Sequence, residues 1–427
     1  MNLNFIISNF FLNLGYFIIT PRNYSFGAFY GTLLNGIKIA NYLKKKKIIC
    51  ISLIDYHNKF GQKKVHNFNM TIKIIQKLKF DEIVFSILLS VFLLPFHIMY
   101  YLKITSVLNK VFFRNFSYKY IPKYYGYGEQ YTNENLENKS NFVYQLRLEP
   151  KLYSQIDVNI FKNEKINEKK IAFCIKDENY KIIKGISEVY CSDINLMRPS
   201  LDYLINSGYE VNRIGEPLMS EFIYENKNYQ DFTKSRNHLD KYNQTLTNSD
   251  FYIGSGASHG ESVELFNKRK CIINLVDHSR NSFSYSEKNL ILFKKIFDIK
   301  KKKILSIEEL FQYELFDYYD VAKKYKNNEI ILIENNEYEI LDTVKNFLKT
   351  NEQSIEDFDY KLNKQYFEMR QLAVKKKLEN KFCSLLLSCE FNKYSIPENF
   401  LNHFLFKNEY LDEISEKYYL ENSKLFN

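Results

Sequence analysis

The sequence predicts an α/β protein of two Rossmann-like domains followed by extra helices at the C-terminal end. Three observations lead there. Within residues 15–53 an apolar run, a loop, a helix-period segment and a second apolar run succeed one another, the pattern of a βαβ unit. From residue 170 to 333, short β-branched or aromatic runs alternate with helical ones, as in a doubly wound parallel sheet. The stretch 250–274, DFYIGSGASHGESVELFNKRKCIIN, places a strand, a small-residue turn, a helix and a second strand in one short span.

Taken in order, residues 15–20 read as a strand and a loop with Arg22 and Gly27 follows. Residues 29–43 have helical periodicity, and 48–53 form a second buried strand. The loop sits at the carboxyl end of its strand, where parallel sheets place ligands. Residues 83–102 carry no charge over a length that could cross a bilayer. Lysines and Arg114 flank the run on both sides, so the positive-inside rule gives no orientation. A helix lying in the membrane plane is the preferred reading, ahead of a buried core helix and a true span. Polar, Asn-rich segments at 130–141 and 163–170 read as linker.

In the second half, 170–176 is a strand, and 193–206 a helix capped by Asp193 and carrying Pro199. Strands at 209–213 and 250–253 follow. After residue 274 come an apolar segment at 290–297, a helix at 307–313, a strand at 329–333 and Lys/Glu-rich helices to the end. These elements place the domains at 1–145, 165–350 and 351–427, the last a set of helices packing back across the other two.

At 427 residues the chain is long enough for two or three cores. Its net charge of +10 comes mostly from short lysine runs interleaved with acids, in a composition rich in Asn, Ile, Lys, Tyr and Phe and free of Trp. Such runs are solvated faces, and no nucleic-acid partner is expected. Six scattered cysteines without a CxxC pair suit a reducing cytoplasm. The apolar first 21 residues have no Lys or Arg before Arg22, which argues against a secretory signal.

In the 250–274 stretch, Gly254, Ser255 and Gly256 would form a turn with free backbone N–H groups ahead of a helix at 261–267. A helix start of that kind favours anions. An ordinary βα turn with no ligand is the competing reading. Arg213 and Lys176, each at a strand's carboxyl end, are the candidate cations for a phosphate group. Arg213 could instead pair with Glu216 or Asp250, and Lys176 could be a solvated neighbour of Asp177. The DxD formed by Asp357, Phe358 and Asp359 lies in a Lys/Glu-rich helical stretch and reads as a solvated helix face, so no metal is expected.

The phrases IAFCIKDENY, SDINLMRPSLDYLINSGYEVNRIGEPLM, DFYIGSGASHGESVELFNKRKCIIN, LILFKKIFD and LSIEEL, in this order over about residues 170–315, resemble a bacterial family of surface-carbohydrate glycosyltransferases with a GT-B-like fold. Asp193, Ile194, Pro199, Gly208, Tyr209, Val211, Arg213, Gly215, Ser255, Gly256 and Asn274 fit the family pattern. Cys174 and Lys176 stand where His and Arg are expected, Arg269 replaces a Pro, and Tyr190 and Cys191 replace an Arg-Asn pair. The resemblance implies two Rossmann-like domains facing a cleft and a metal-independent glycosyltransferase without a cofactor. Its substrate would be a nucleotide-sugar, and its acceptor a surface polysaccharide or a lipid-linked glycan.

On that reading Lys176 and Arg213 serve the departing diphosphate, and Gly254, Ser255, Gly256, Ser258, His259, Glu261, Glu264 and Asn274 hold the donor. Arg22, Gly27, Asp55 and His57 lie on the acceptor side. The protein would sit in the cytoplasm, peripheral to the inner membrane. The alternative is a noncatalytic, membrane-associated GT-B-like protein of carbohydrate assembly.

Overall fold

The computed structural model describes residues 16–19, 47–50, 82–85, 169–180, 188–235, 241, 244–246, 248–256, 269–278, 289–316, 318–352, 361–380 and 394–423. Two compact units emerge, the first built on Met1–Glu164 and the second on Lys165–Val263, Lys268–Lys381 and Phe391–Asn427.

In the first unit, β1 (Tyr16–Ile19), β2 (Lys47–Cys50) and β3 (Glu82–Phe85) form a parallel sheet in that order. Tyr16 is opposite Lys47, and Lys47 opposite Glu82. The first two strands fall where the expected βαβ unit placed them, within a residue or so at their starts. One expectation needs correcting. The apolar helix expected from residue 83 does not hold at its start, where Ile83, Val84 and Phe85 pair with Ile48, Ile49 and Cys50. Their β-branched and aromatic side chains favour a pleated strand over a helix. The rest of that run, 86–102, lies outside the described residues, and no helix among the described residues is long and apolar enough to cross a membrane.

The second unit holds a seven-stranded sheet in which every neighbouring pair is parallel. Its strands are β4 (Lys170–Cys174), β5 (Glu210–Arg213), β6 (Tyr229–Asp231), β7 (Phe251–Ser255), β8 (Arg269–Leu275), β9 (Asn289–Phe293) and β13 (Tyr394–Ser395). Strands β7 and β9 are buried at every position, and β4 at all but its first. Near-continuous apolar sequence of this kind is what a parallel sheet covered on both faces requires. Helix α1 (Arg198–Asn206) joins β4 to β5 and buries Leu201, Leu204 and Ile205.

The order across the sheet is β13-β9-β8-β7-β4-β5-β6. From β4 the chain first adds β5 and β6 on one side, then crosses to build β7, β8 and β9 on the other. The direction of winding therefore reverses between β4 and β7. This is the doubly wound, Rossmann-like arrangement, and its reversal opens a crevice outside the carboxyl ends of those two strands.

The apolar segment at 290–297 is two strands rather than one. Lys294 separates β9 from β10 (Lys295–Asp298), and its N–H bonds to the Leu275 carbonyl at 2.9 Å. Strand β10 leaves the main sheet and pairs antiparallel with β11 (Lys303–Ile304) and β12 (Ile330–Ile333). Helix α2 (Ile307–Gln312) starts from a capping box in which Ser306 and Glu309 each accept the other's backbone N–H. Helices α3 (Tyr318–Lys326) and α4 (Glu337–Glu352) follow, and α4 packs on α1.

Residues expected to be only helices at the C-terminal end also supply a strand. After α5 (Lys361–Asn380), β13 extends the main sheet beside β9, and α6 (Glu398–Phe404) and α7 (Glu409–Glu421) complete the second unit. Ser415 of α7 accepts the N–H of Ile304 at 2.9 Å, and Asn363 of α5 exchanges hydrogen bonds with the backbone of Ile396. Under α5, His278 stacks on Phe293 with ring centroids 3.8 Å apart and meets the Tyr366 hydroxyl at 3.0 Å. Burial pushes its imidazole down to about 3, with the Arg370 charge acting the same way, so this histidine is neutral.

Candidate functional site

The carboxyl edge of the seven-stranded sheet carries a cavity of about 780 Å³. Asp177 comes to it just after β4, Ser220 and Phe222 after β5, Lys294 after β9 and Glu334 after β12. Cys191, Ser192 and Asp193 come from the segment that leads into α1, and Arg198 is the first residue of that helix.

The floor is built from a short chain of hydrogen bonds. Lys294 is almost fully buried; its ammonium donates to the Cys191 carbonyl at 2.5 Å and meets Glu334 Oε1 at 3.3 Å. Burial pushes the Lys294 amine down, and the Glu334 carboxylate opposes that shift. The other oxygen of Glu334 accepts the Asp193 N–H at 3.0 Å. Asp193 in turn accepts from Asn195 N, capping the 3₁₀ turn Ile194–Met197 that feeds α1, with Pro199 in the first turn of the helix. Thus the expected Asp193 cap and Pro199 are both present, with the 3₁₀ turn inserted before the α-helix.

Arg213 takes the place of an internal clamp. Its side chain is fully buried, 2.7 Å from Asp231 Oδ2 and 3.8 Å from Asp177 Oδ2, and it donates to the Ser220 carbonyl at 2.9 Å. The predicted structural partners, Glu216 or Asp250, are replaced by Asp231 and Asp177. In both the pairing and the burial, its charge is answered inside the protein, and it does not line the cavity. Lys176 is also buried. Its backbone N–H donates to Ser255 Oγ at 2.8 Å, its carbonyl accepts from Ser192 N at 2.7 Å, and its ammonium lies 5.6 Å from the centre of the Tyr190 ring.

The turn expected at Gly254, Ser255 and Gly256 is strand at its first two positions. Gly254 and Ser255 are the last residues of β7, paired with Ile272 and Ile273 of β8, and Gly254 also faces Cys174 of β4. A Cβ on Gly254 would collide with the Cys174 carbonyl and the Tyr252 ring, and one on Gly256 with Leu275. The glycines are therefore required by close strand and side-chain packing. The Ser255 hydroxyl, by accepting from Lys176 N, bridges β7 and β4 across the reversal of winding.

Asn274 does not point to a ligand either. It has φ 56° and lies where the β8 and β9 register shifts between Ile272 and Leu275. Asparagine tolerates that left-handed conformation better than most residues. Its Oδ1 accepts from Asn335 N at 3.1 Å and Asn335 Nδ2 at 2.7 Å, fastening the segment after β12 to the main sheet. Ser258, His259, Glu261 and Glu264, and the acceptor-side Arg22, Gly27, Asp55 and His57, lie outside the described residues, as do Asp357, Phe358 and Asp359.

Comparison of the chain with family models, curated proteins and solved structures gives no match. Its chemistry must therefore be argued from the cavity. The lining contains the carboxylates Asp177, Glu178, Glu188, Asp193, Glu221 and Glu334, against the cations Arg198 and Lys294. Arg198 is held by Asn195 Oδ1 and the Ile223 carbonyl, with its guanidinium 4.7 Å from the Phe222 ring. Such a surface offers many acceptors to hydroxyl or ammonium donors and opposes a free anion. Among the described residues no group of His, Cys, Asp and Glu is arranged to hold a metal ion.

Sequence reading missed Lys294, Glu334, Ser192 and Asp231. Lys294 alone carried a signal, as a lysine directly after the apolar run NLILF, where burial of the strand draws the amine inward. The others are defined by partners distant in sequence.

Proposed function

We propose that the second unit binds a nucleotide-sugar at the carboxyl edge of its sheet and that the protein is a glycosyltransferase of carbohydrate assembly. The observation that carries this reading is the reversal of winding between β4 and β7, beside which the cavity opens. The carboxylate-rich lining favours the hydroxyl-bearing part of the donor. The diphosphate would take backbone N–H groups at the carboxyl end of β7, near Gly256. In the reaction an acceptor hydroxyl forms a bond to the sugar's anomeric carbon, the bond from that carbon to the diphosphate oxygen breaks, and the hydroxyl proton passes to a base. The acceptor would be a surface polysaccharide or a lipid-linked glycan, reached from the cytoplasmic side of the membrane.

Calorimetric titration of the full chain with UDP, GDP and CMP tests the donor reading. Saturable uptake of one of them is expected, and no uptake of any would overturn it. The enclosure of Arg213 favours a second reading, a noncatalytic carbohydrate-binding protein of the same fold, because the strongest sequence candidate for stabilising a leaving diphosphate is engaged elsewhere. The two separate when radiolabelled nucleotide-sugars are incubated with the protein and membrane lipid extract. Label transfer belongs to the enzyme, and neither transfer nor uptake of any nucleotide to the noncatalytic protein.

A further inference from the structure

We propose that the turn between β10 and β11, together with the end of α7, is a contact surface for an anionic lipid bilayer. It stands apart from the donor reading, since it uses none of the residues around the cavity. The lysine run at 300–303 reads in the sequence as a solvated face, and the structure gives it a more specific setting. Asp298 Oδ1 accepts the Lys301 N–H at 2.9 Å and fixes the turn, with Lys302 at φ 53°. Lys300, Lys301 and Lys302 are exposed at its tip.

The nearby acids engage only part of this charge. Lys301 lies 4.0 Å from Asp298 Oδ2, and Lys303 pairs with Glu309. Lys300 and Lys302 form no ion pair with any described residue. Two ammonium groups instead sit over tyrosine rings, Lys301 at 3.3 Å from the centre of Tyr313 and Lys302 at 4.6 Å from that of Tyr419. A cation over a ring is held in place without being neutralised. Tyr313 is itself 41 % exposed, and Leu420, next to Tyr419 on α7, is 63 % exposed. Ordered positive charge, tyrosines and an exposed leucine therefore share one surface. Anionic headgroups above an acyl boundary complement that combination. Nucleic acid fits it less well, because ammonium groups cover the rings that would stack on bases, and Leu420 would have nothing apolar to meet. Glu416 is exposed one turn before Leu420 and opposes the contact.

Co-sedimentation of the full chain with phosphatidylcholine vesicles, with and without phosphatidylglycerol, tests the surface. Tighter binding to the charged vesicles is expected, weakening with added salt. K300Q/K302Q should weaken that binding by about fivefold for each lysine. L420N should weaken it as well, and E416Q should strengthen it. All four positions are exposed, so these variants should melt with the unaltered chain. K300Q/K302Q and L420N proteins that bind charged vesicles as tightly as the unaltered chain would overturn the proposal, since another segment would then carry the binding. Duplex DNA that displaces the protein from vesicles at equal phosphate concentration, through the same lysines, would reassign the surface to nucleic acid and overturn it too. Patch-dependent vesicle binding without uptake of UDP, GDP or CMP leaves the surface standing and the donor reading fallen. Nucleotide uptake with vesicle binding indifferent to the patch gives the reverse result.

Discussion

Replacing Arg213 by alanine should cost stability before it costs any ligand. The guanidinium is fully buried, bonded to Asp231 at 2.7 Å and to the Ser220 carbonyl at 2.9 Å, with Asp177 3.8 Å away. Its removal would strand two carboxylates whose side chains are 23 % and 8 % exposed. Breaking a buried pair by deleting one partner typically costs about 3–5 kcal/mol. The partial exposure of Asp231 lets water recover some of that, so about 3 kcal/mol is expected here. For a unit of this size that corresponds to a drop in melting temperature of roughly 6–12 °C. Thermal unfolding followed by circular dichroism measures it. Arg213→Lys should fall between the two, since one ammonium cannot reproduce the fork that reaches both Asp231 and Ser220. An Arg213→Ala protein with unchanged melting temperature and abolished nucleotide binding would refute the reasoning, because it would make Arg213 a ligand-facing charge.

Three further outcomes follow from the packing and the titrations. Gly254→Ala should destabilise more than Gly256→Ala, because the first collides with a backbone carbonyl and the second with the end of the Leu275 side chain. Overpacking costs of about 1–3 kcal/mol, read by urea unfolding, are expected for the first. Ser306→Ala removes half of a capping box and should cost about 1 kcal/mol in the same assay. His278, held near 3 by burial, titrates near 6.5 once unfolded, so the unfolded chain binds the extra proton between those values. Stability should therefore be full above about pH 6.5 and fall by up to about 1.4 kcal/mol per pH unit below it, with the slope reduced in His278→Gln.

The buried strands were legible in the sequence, because β4, β7, β8 and β9 lie between covered faces and read as apolar runs. The helix start at Asp193 was legible as well, since capping is local chemistry. What the sequence hid was which polar groups meet. Gly254 and Ser255 look like a turn in one dimension, and only the Cys174 carbonyl pressing on Gly254 shows why glycine belongs in the strand. Arg213 finds Asp231, 18 residues away, and Lys294 finds Glu334, 40 residues away. Asn274 matches a donor-site pattern in sequence yet serves the β8 bulge and Asn335. Long-range pairings of this kind follow from sheet order, which no local pattern reveals.

Hydrogen exchange of the full chain, with and without saturating UDP, GDP or CMP, tests the central claim most directly. If the carboxyl edge of the sheet is the donor site, one nucleotide should slow exchange at 175–179, 191–195 and 254–256 while leaving α6 and α7 unchanged. Unaltered exchange throughout with every nucleotide, or protection confined to elements away from that edge, would contradict it.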